Sequence, residues 1–166
     1  RYPRQMLSAQ LNLLDSHDVS RFLTLCGGDR ARMEQAVLFQ MAFPGMPCVF
    51  YGDEKGLEGT LENEYRRPMA FDRSDALEDV YRRMIALRKE HPALRHGDFQ
   101  TVLAQGALFL CRRSAAEESL LLCWNAGGEA LPVPGLPKDA LPLLQKGWKG
   151  GLLEGRGYVV FQTAKP

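Results

Sequence analysis

The stretch Leu11–Leu23, LNLLDSHDVSRFL, decides how the rest of the chain is read. Four apolar or near-apolar positions end abruptly in Asp15, Ser16, His17 and Asp18, with Arg21 just beyond. An apolar run without polar alternation suits a strand covered on both faces, as in a parallel sheet. Parallel α/β folds build their sites beyond the carboxyl ends of strands. A second run, Met46–Tyr51 (MPCVFY), ends the same way in Gly52, Asp53 and Glu54. Two adjacent strand ends would set these groups around one mouth. Along a regular strand His17 and Asp18 point to opposite faces, so both serve one pocket only if the chain bends near Ser16. Strands also end in Asp and Ser simply because a turn begins there. The bare pattern therefore leaves open a functional His–Asp pair or a plain turn. A Ser-His-Asp hydrolase is a weaker reading, for there is no GxSxG elbow. A metal site is weaker too, because His17 and Asp18 lack further ligands at a standard spacing.

Between the two runs, Asp29 reads as an N-cap, and Met33, Val37, Leu38 and Met41 follow at helical spacing. Phe43-Pro44-Gly45 stops that helix. Leu57–Pro68 is a polar loop rich in Glu and Arg. Ser74-Asp75 starts another helix, whose apolar face runs from Leu77 to Leu87 and which His91-Pro92 ends. The order βαβα is that of an α/β protein with a parallel sheet. From Leu94 the pattern changes. Phe99–Leu103, Ala107–Arg113, Ser119–Asn125, Glu129–Val133, Ala140–Leu144 and Gly157–Thr163 read as short strands, separated by Gly- and Pro-containing turns. This rhythm indicates an antiparallel sandwich or barrel-like module.

The 166 residues suffice for one sizeable core or two small ones. A net charge of +1 gives no general attraction to nucleic acid or acidic membranes. No apolar run approaches the ~20 residues that span a bilayer. Cys26, Cys48, Cys111 and Cys123 have neither CxxC spacing nor histidine company, and read as free buried thiols. A reducing cytosol fits, and the expected location is cytoplasmic. The chain starts at Arg1 rather than Met, so the expectation is that the natural N-terminus lies upstream.

LNLLDSHDVSRFLT resembles the motif on the seventh barrel strand of the alpha-amylase family of glycoside hydrolases. FPGMPCVFYGDEKGLEG resembles that family's eighth-strand motif, roughly PGxPxxYYGxExG, and YRRMIALRKEHPALRHGDF resembles its last barrel helix. SHD with a downstream RR-P-M is most similar to the neopullulanase, cyclomaltodextrinase and maltogenic amylase subgroup. The implied fold is α/β: the last two βα units of a TIM-type (β/α)8 barrel in residues 1–96, then an all-β C-terminal sandwich domain in residues 97–166.

The resemblance implies roles as well. Asp18 matches the carboxylate that stabilises the transition state, and His17 matches a histidine that binds the same sugar. Arg66, and less closely Glu62, match charged residues that contact sugar away from the cleavage point. They read otherwise as an exposed ion pair. The family's nucleophilic aspartate and acid/base glutamate have no counterpart in this chain. The expectation is thus a part of a retaining glycosidase acting on α-glucans, cyclodextrins or maltooligosaccharides, inactive alone. A non-catalytic carbohydrate-binding or accessory protein is the alternative. No cofactor is implied, and the family's usual calcium ligands lie mostly upstream. Asp53 and Glu54 are expected to shape the rim. Arg21 reads either as the partner of a nearby acid or as a surface residue starting a helix. Trp124 and Trp148 read as core or edge aromatics rather than sugar platforms, and His91 and His96 as packing or capping groups. Two barrel strands alone leave open edges, so self-association through the uncovered barrel surface is expected.

Overall fold

A computed structural model describes residues 3–136 and 141–163. Its contacts divide the chain into two compact units, Arg1–Glu90 and His91–Pro166. The first holds α1 (Arg4–Ser8), β1 (Leu11–Asn12), α2 (Phe22–Leu25), α3 (Arg30–Ala42), β2 (Met46–Pro47), α4 (Glu62–Tyr65) and α5 (Leu77–Glu90). β1 and β2 pair in parallel, Leu11 opposite Met46 and Asn12 opposite Pro47.

The two expected strands shrink to two residues each. Pro47 has no N–H to donate, and among the described residues no further strand flanks either edge. Without neighbours the apolar run is not buried: Leu11 is 55% exposed and Met46 61%. Side chains complete what the short ladder begins. Gln40, on α3, donates from Nε2 to Asn12 O (3.0 Å) and Cys48 O (2.8 Å), bridging the two strands. Asn12 Nδ2 donates to Pro44 O at 2.8 Å.

α3 starts where Asp29 Oδ1 accepts from the Ala31 N–H at 2.9 Å, satisfying a donor that the first turn leaves unpaired. It buries Met33, Val37, Leu38 and Met41. α5 starts at an equivalent cap: Asp75 Oδ1 accepts from Leu77 N at 3.1 Å. The same carboxylate takes a two-pronged ion pair from Arg30, at 3.2 and 2.6 Å. Arg88 near the end of α5 donates to Met41 O and Gly45 O, so one guanidinium holds a carbonyl of the last turn of α3 and one of the turn that follows it. The first-turn helices α1, α2 and α4 are additions to the sequence reading; each spans only four or five residues.

The second unit opens with α6 (Pro92–His96), its proline at the first position, where a missing N–H costs nothing. Next come β3 (Asp98–Gln105), β4 (Leu108–Ser114), β5 (Ser119–Asn125), β6 (Leu131–Pro132), β7 (Pro142–Lys149) and β8 (Leu152–Thr163). They form one antiparallel sheet in the order β3-β4-β5-β8-β6, with β7 also on β8. The expected strand Ala140–Leu144 begins outside the described residues. Alternate residues Leu108, Leu110, Leu121, Cys123, Val159 and Phe161 form a core on one face, with Trp148 against it. The opposite positions of β5, Leu120, Leu122 and Trp124, are buried as well. Trp148 meets Phe161 edge-on, with ring centroids 5.2 Å apart. His91 Nδ1 lies 2.5 Å from Glu118 Oε1, and the other oxygen of that carboxylate accepts from Ala93 N. All four cysteines are free; Cys48 is half-buried rather than buried. Among the described residues no helix is long and apolar enough to cross a membrane.

Candidate functional site

The chain leaves β1 and turns at Ser16. The Ser16 hydroxyl accepts from Asp18 N at 3.2 Å, which is the bend that brings His17 and Asp18 to one side. Both side chains are exposed, and His17 Nε2 lies 3.3 Å from Asp18 Oδ2. The long loop after β2 then crosses the same turn. Arg21 N donates to Gly59 O (2.9 Å), Gly59 N to Thr24 Oγ1 (2.8 Å), and Ser20 Oγ to Thr60 O (3.3 Å). These bonds place α4 directly beside Asp18. Glu64 pins the start of α4 by accepting from Thr60 N and Leu61 N, and these two bonds hold its carboxyl below the usual range.

Arg66, the residue that ends α4, reaches across. Its Nε donates to His17 O at 2.7 Å, one terminal nitrogen reaches Asp18 Oδ1 at 3.3 Å, and the other meets Glu62 Oε1 at 2.6 Å. The four residues singled out in the sequence, His17, Asp18, Glu62 and Arg66, therefore form one connected polar network. Every member is exposed, so the network stabilises the fold little. What it offers is a carboxylate set between a guanidinium and an imidazole, with an open face toward solvent. Among the described residues no group of three or more His, Cys, Asp or Glu could hold a metal ion.

Behind this exposed network lies a buried one. Arg21 has no exposed surface, which rules out the reading of a surface helix-start residue. Its guanidinium pairs with Asp53 Oδ1 at 3.2 Å, donates to Tyr51 O at 2.5 Å, and stacks 4.1 Å from the Phe50 ring centroid. Asp15, also buried, accepts from Phe22 N at 2.6 Å. Burial first, and the Asp15 carboxylate second, push the Asp53 carboxyl up to about 8. Glu54 closes its own turn by accepting from Gly52 N at 2.9 Å, where Gly52 adopts φ +87°. Charged residues at the ends of neighbouring strands hinted at this pairing; the depth of Arg21 did not show in the sequence.

Residues 1–74 match the family model described as alpha amylase, catalytic domain. A cyclomaltodextrinase of Geobacillus thermopakistaniensis (strain MAS1) is 36% identical over 162 residues, covering 95% of this chain and 27% of that protein. Neopullulanase 2 of Thermoactinomyces vulgaris is 38% identical over 133 residues, 77% of this chain and 23% of that one. The crystal structure of an acarbose-soaked debranching enzyme of Nostoc punctiforme superposes with a TM-score of 0.84 at 33% identity, covering 98% of this chain and 35% of that chain. The chain thus spans 27% and 23% of the length of the two curated relatives.

Proposed function

Because residues 1–74 match the alpha-amylase catalytic-domain model, we propose that this chain supplies the substrate-clamping side of a retaining glycosidase acting on α-glucosidic bonds. The observation that carries the proposal is the joining of His17, Asp18, Glu62 and Arg66 beyond the end of β1. Asp18 binds hydroxyls of the sugar at the cleavage point through short charge-assisted bonds. Glycoside cleavage passes through an oxocarbenium-like state, and such bonds tighten as that state forms. Bonds that tighten in the transition state raise the rate and not merely the affinity. His17 binds the same sugar, while Arg66 and Glu62 bind a neighbouring unit of an α-glucan, cyclodextrin or maltooligosaccharide. Lacking counterparts of the nucleophile and the acid/base glutamate, these residues bind sugar without cleaving it on their own.

The test is titration of the chain with maltotriose and α-cyclodextrin, followed by the NMR signals of His17 and its neighbours. Saturable shifts that Asp18→Asn weakens at least tenfold, with no sugar released, are expected. Turnover above blank refutes the inactivity of the isolated chain. Binding that survives Asp18→Asn and His17→Ala together refutes the assigned site, and points to an accessory carbohydrate-binding surface elsewhere.

A further inference from the structure

The buried cluster beneath the site holds two carboxyl groups and one cation, an imbalance that a dry interior resists. Asp15 and Arg21 come from the turn that carries His17 and Asp18, Asp53 comes from the turn after β2, and the buried Tyr81 of α5 is near enough to feel the charge of both carboxyls. Asp15 is 2% exposed, Asp53 3% and Arg21 0%. One Asp15 oxygen accepts from Phe22 N, but no N–H reaches the other, Oδ1, although it too is buried. A buried acceptor without a donor is costly, and an ionised Asp53 has no hydrogen to offer it.

We propose that Asp15 and Asp53 share a single proton near neutral pH, and that this half-neutralised pair, with Arg21, is the positioning element for the His17–Asp18 turn. The proton sits on Asp53 and is donated to Asp15, so the pair carries one negative charge. Arg21 matches that charge, and the cluster is neutral. The strand-end turns are thereby tied to each other two to four residues from His17 and Asp18. Loss of the proton leaves two buried anions and a single guanidinium, with Glu54 on the same turn as a further negative group and the Tyr81 hydroxyl kept un-ionised by burial and by these charges. Repulsion then acts directly on the backbone that sets the direction of Asp18. The usefulness of this positioning rests on the sugar-binding reading above; the shared proton does not.

The experiment is an NMR titration of the whole chain with carboxyl-labelled aspartate. One aspartate is expected to titrate on the alkaline side of neutrality, well above the ordinary value of about 4. The His17 ring signal is expected to show a second step at the same pH. Asp15→Asn should move the carboxyl step down by at least one pH unit, and Asp53→Asn should abolish both steps. Titration of every aspartate in the ordinary range, in the unaltered chain, overturns the shared proton. A carboxyl step that His17 does not follow overturns the positioning role. Sugar binding that fails while both steps persist refutes the functional reading and leaves this one standing.

Discussion

Arg21 is fully enclosed and pairs with the buried Asp53, so removing it costs more than removing one partner of an exposed ion pair. Arg21→Ala leaves Asp53 buried beside Asp15 without a cation, and is expected to cost about 3–5 kcal/mol in urea unfolding. The neighbouring carboxyl sets a pH dependence. Asp53 is raised in the folded chain to about 8, against about 4 when unfolded. The folded state therefore keeps a proton that the unfolded state releases. Its stabilising contribution is full below about pH 4 and is lost as the pH rises through about 8. Asp75 has the opposite sign: Arg30 holds it below its ordinary value, so its contribution is present above about pH 4 and lost as the pH falls further. Stability is expected to peak in mild acid and to decline toward pH 8, as read from urea midpoints. Asp53→Asn should flatten the alkaline decline and leave the acid one. A midpoint that rises steadily from pH 5 to about 8 contradicts the assignment.

At the scale of an element, α4 is too short to persist alone. It holds its place through Glu64 at its start and through its close approach to Gly59. A Cβ at position 59 would lie 2.7 Å from the backbone of Glu64 and of Tyr65, which no side-chain movement relieves. Gly59→Ala should push α4 away and uncouple Arg66 and Glu62 from Asp18. The check is the amide spectrum of residues 16–20, expected to shift, together with weaker sugar binding. An unchanged spectrum refutes the coupling. The helices α3 and α5 could be anticipated because their caps and apolar spacing are local, Asp29 with Met33 to Met41 and Asp75 with Leu77 to Leu87. The lengths of β1 and β2 could not be anticipated, because a strand exists only where a neighbour pairs with it, and Pro47 removes one donor from a ladder already short.

For the whole molecule, apolar surface gathers where that ladder is open. Leu11, Leu13 and Met46 are each about half exposed or more, and Phe39 lies with Leu11 and Leu13 around one shallow groove. Sheet edges of this kind pair with further chains unless something covers them. Light scattering is expected to give an apparent mass that rises with concentration above that of the 18.6 kDa chain. Leu11→Lys with Met46→Lys should reduce the association, since charges on an open edge oppose pairing. A concentration-independent monomer that binds no hydrophobic dye contradicts the expectation.

The sequence by itself determined the parts whose physics is local. These are the switch from apolar to ionisable residues after Leu14, the capped helices, the strand rhythm after Leu94, and the motifs that resemble those of the alpha-amylase family. Tertiary structure alone decided which charges go inside. Arg21 and Arg66 are both arginines in polar surroundings of the sequence, yet one is buried against Asp53 and the other lies exposed across Asp18. The difference depends on residues 30 to 50 positions away that fold over one and not the other. Burial is a property of that arrangement, and it turns the same guanidinium from a surface contact into the counter-charge on which the fold of the site depends.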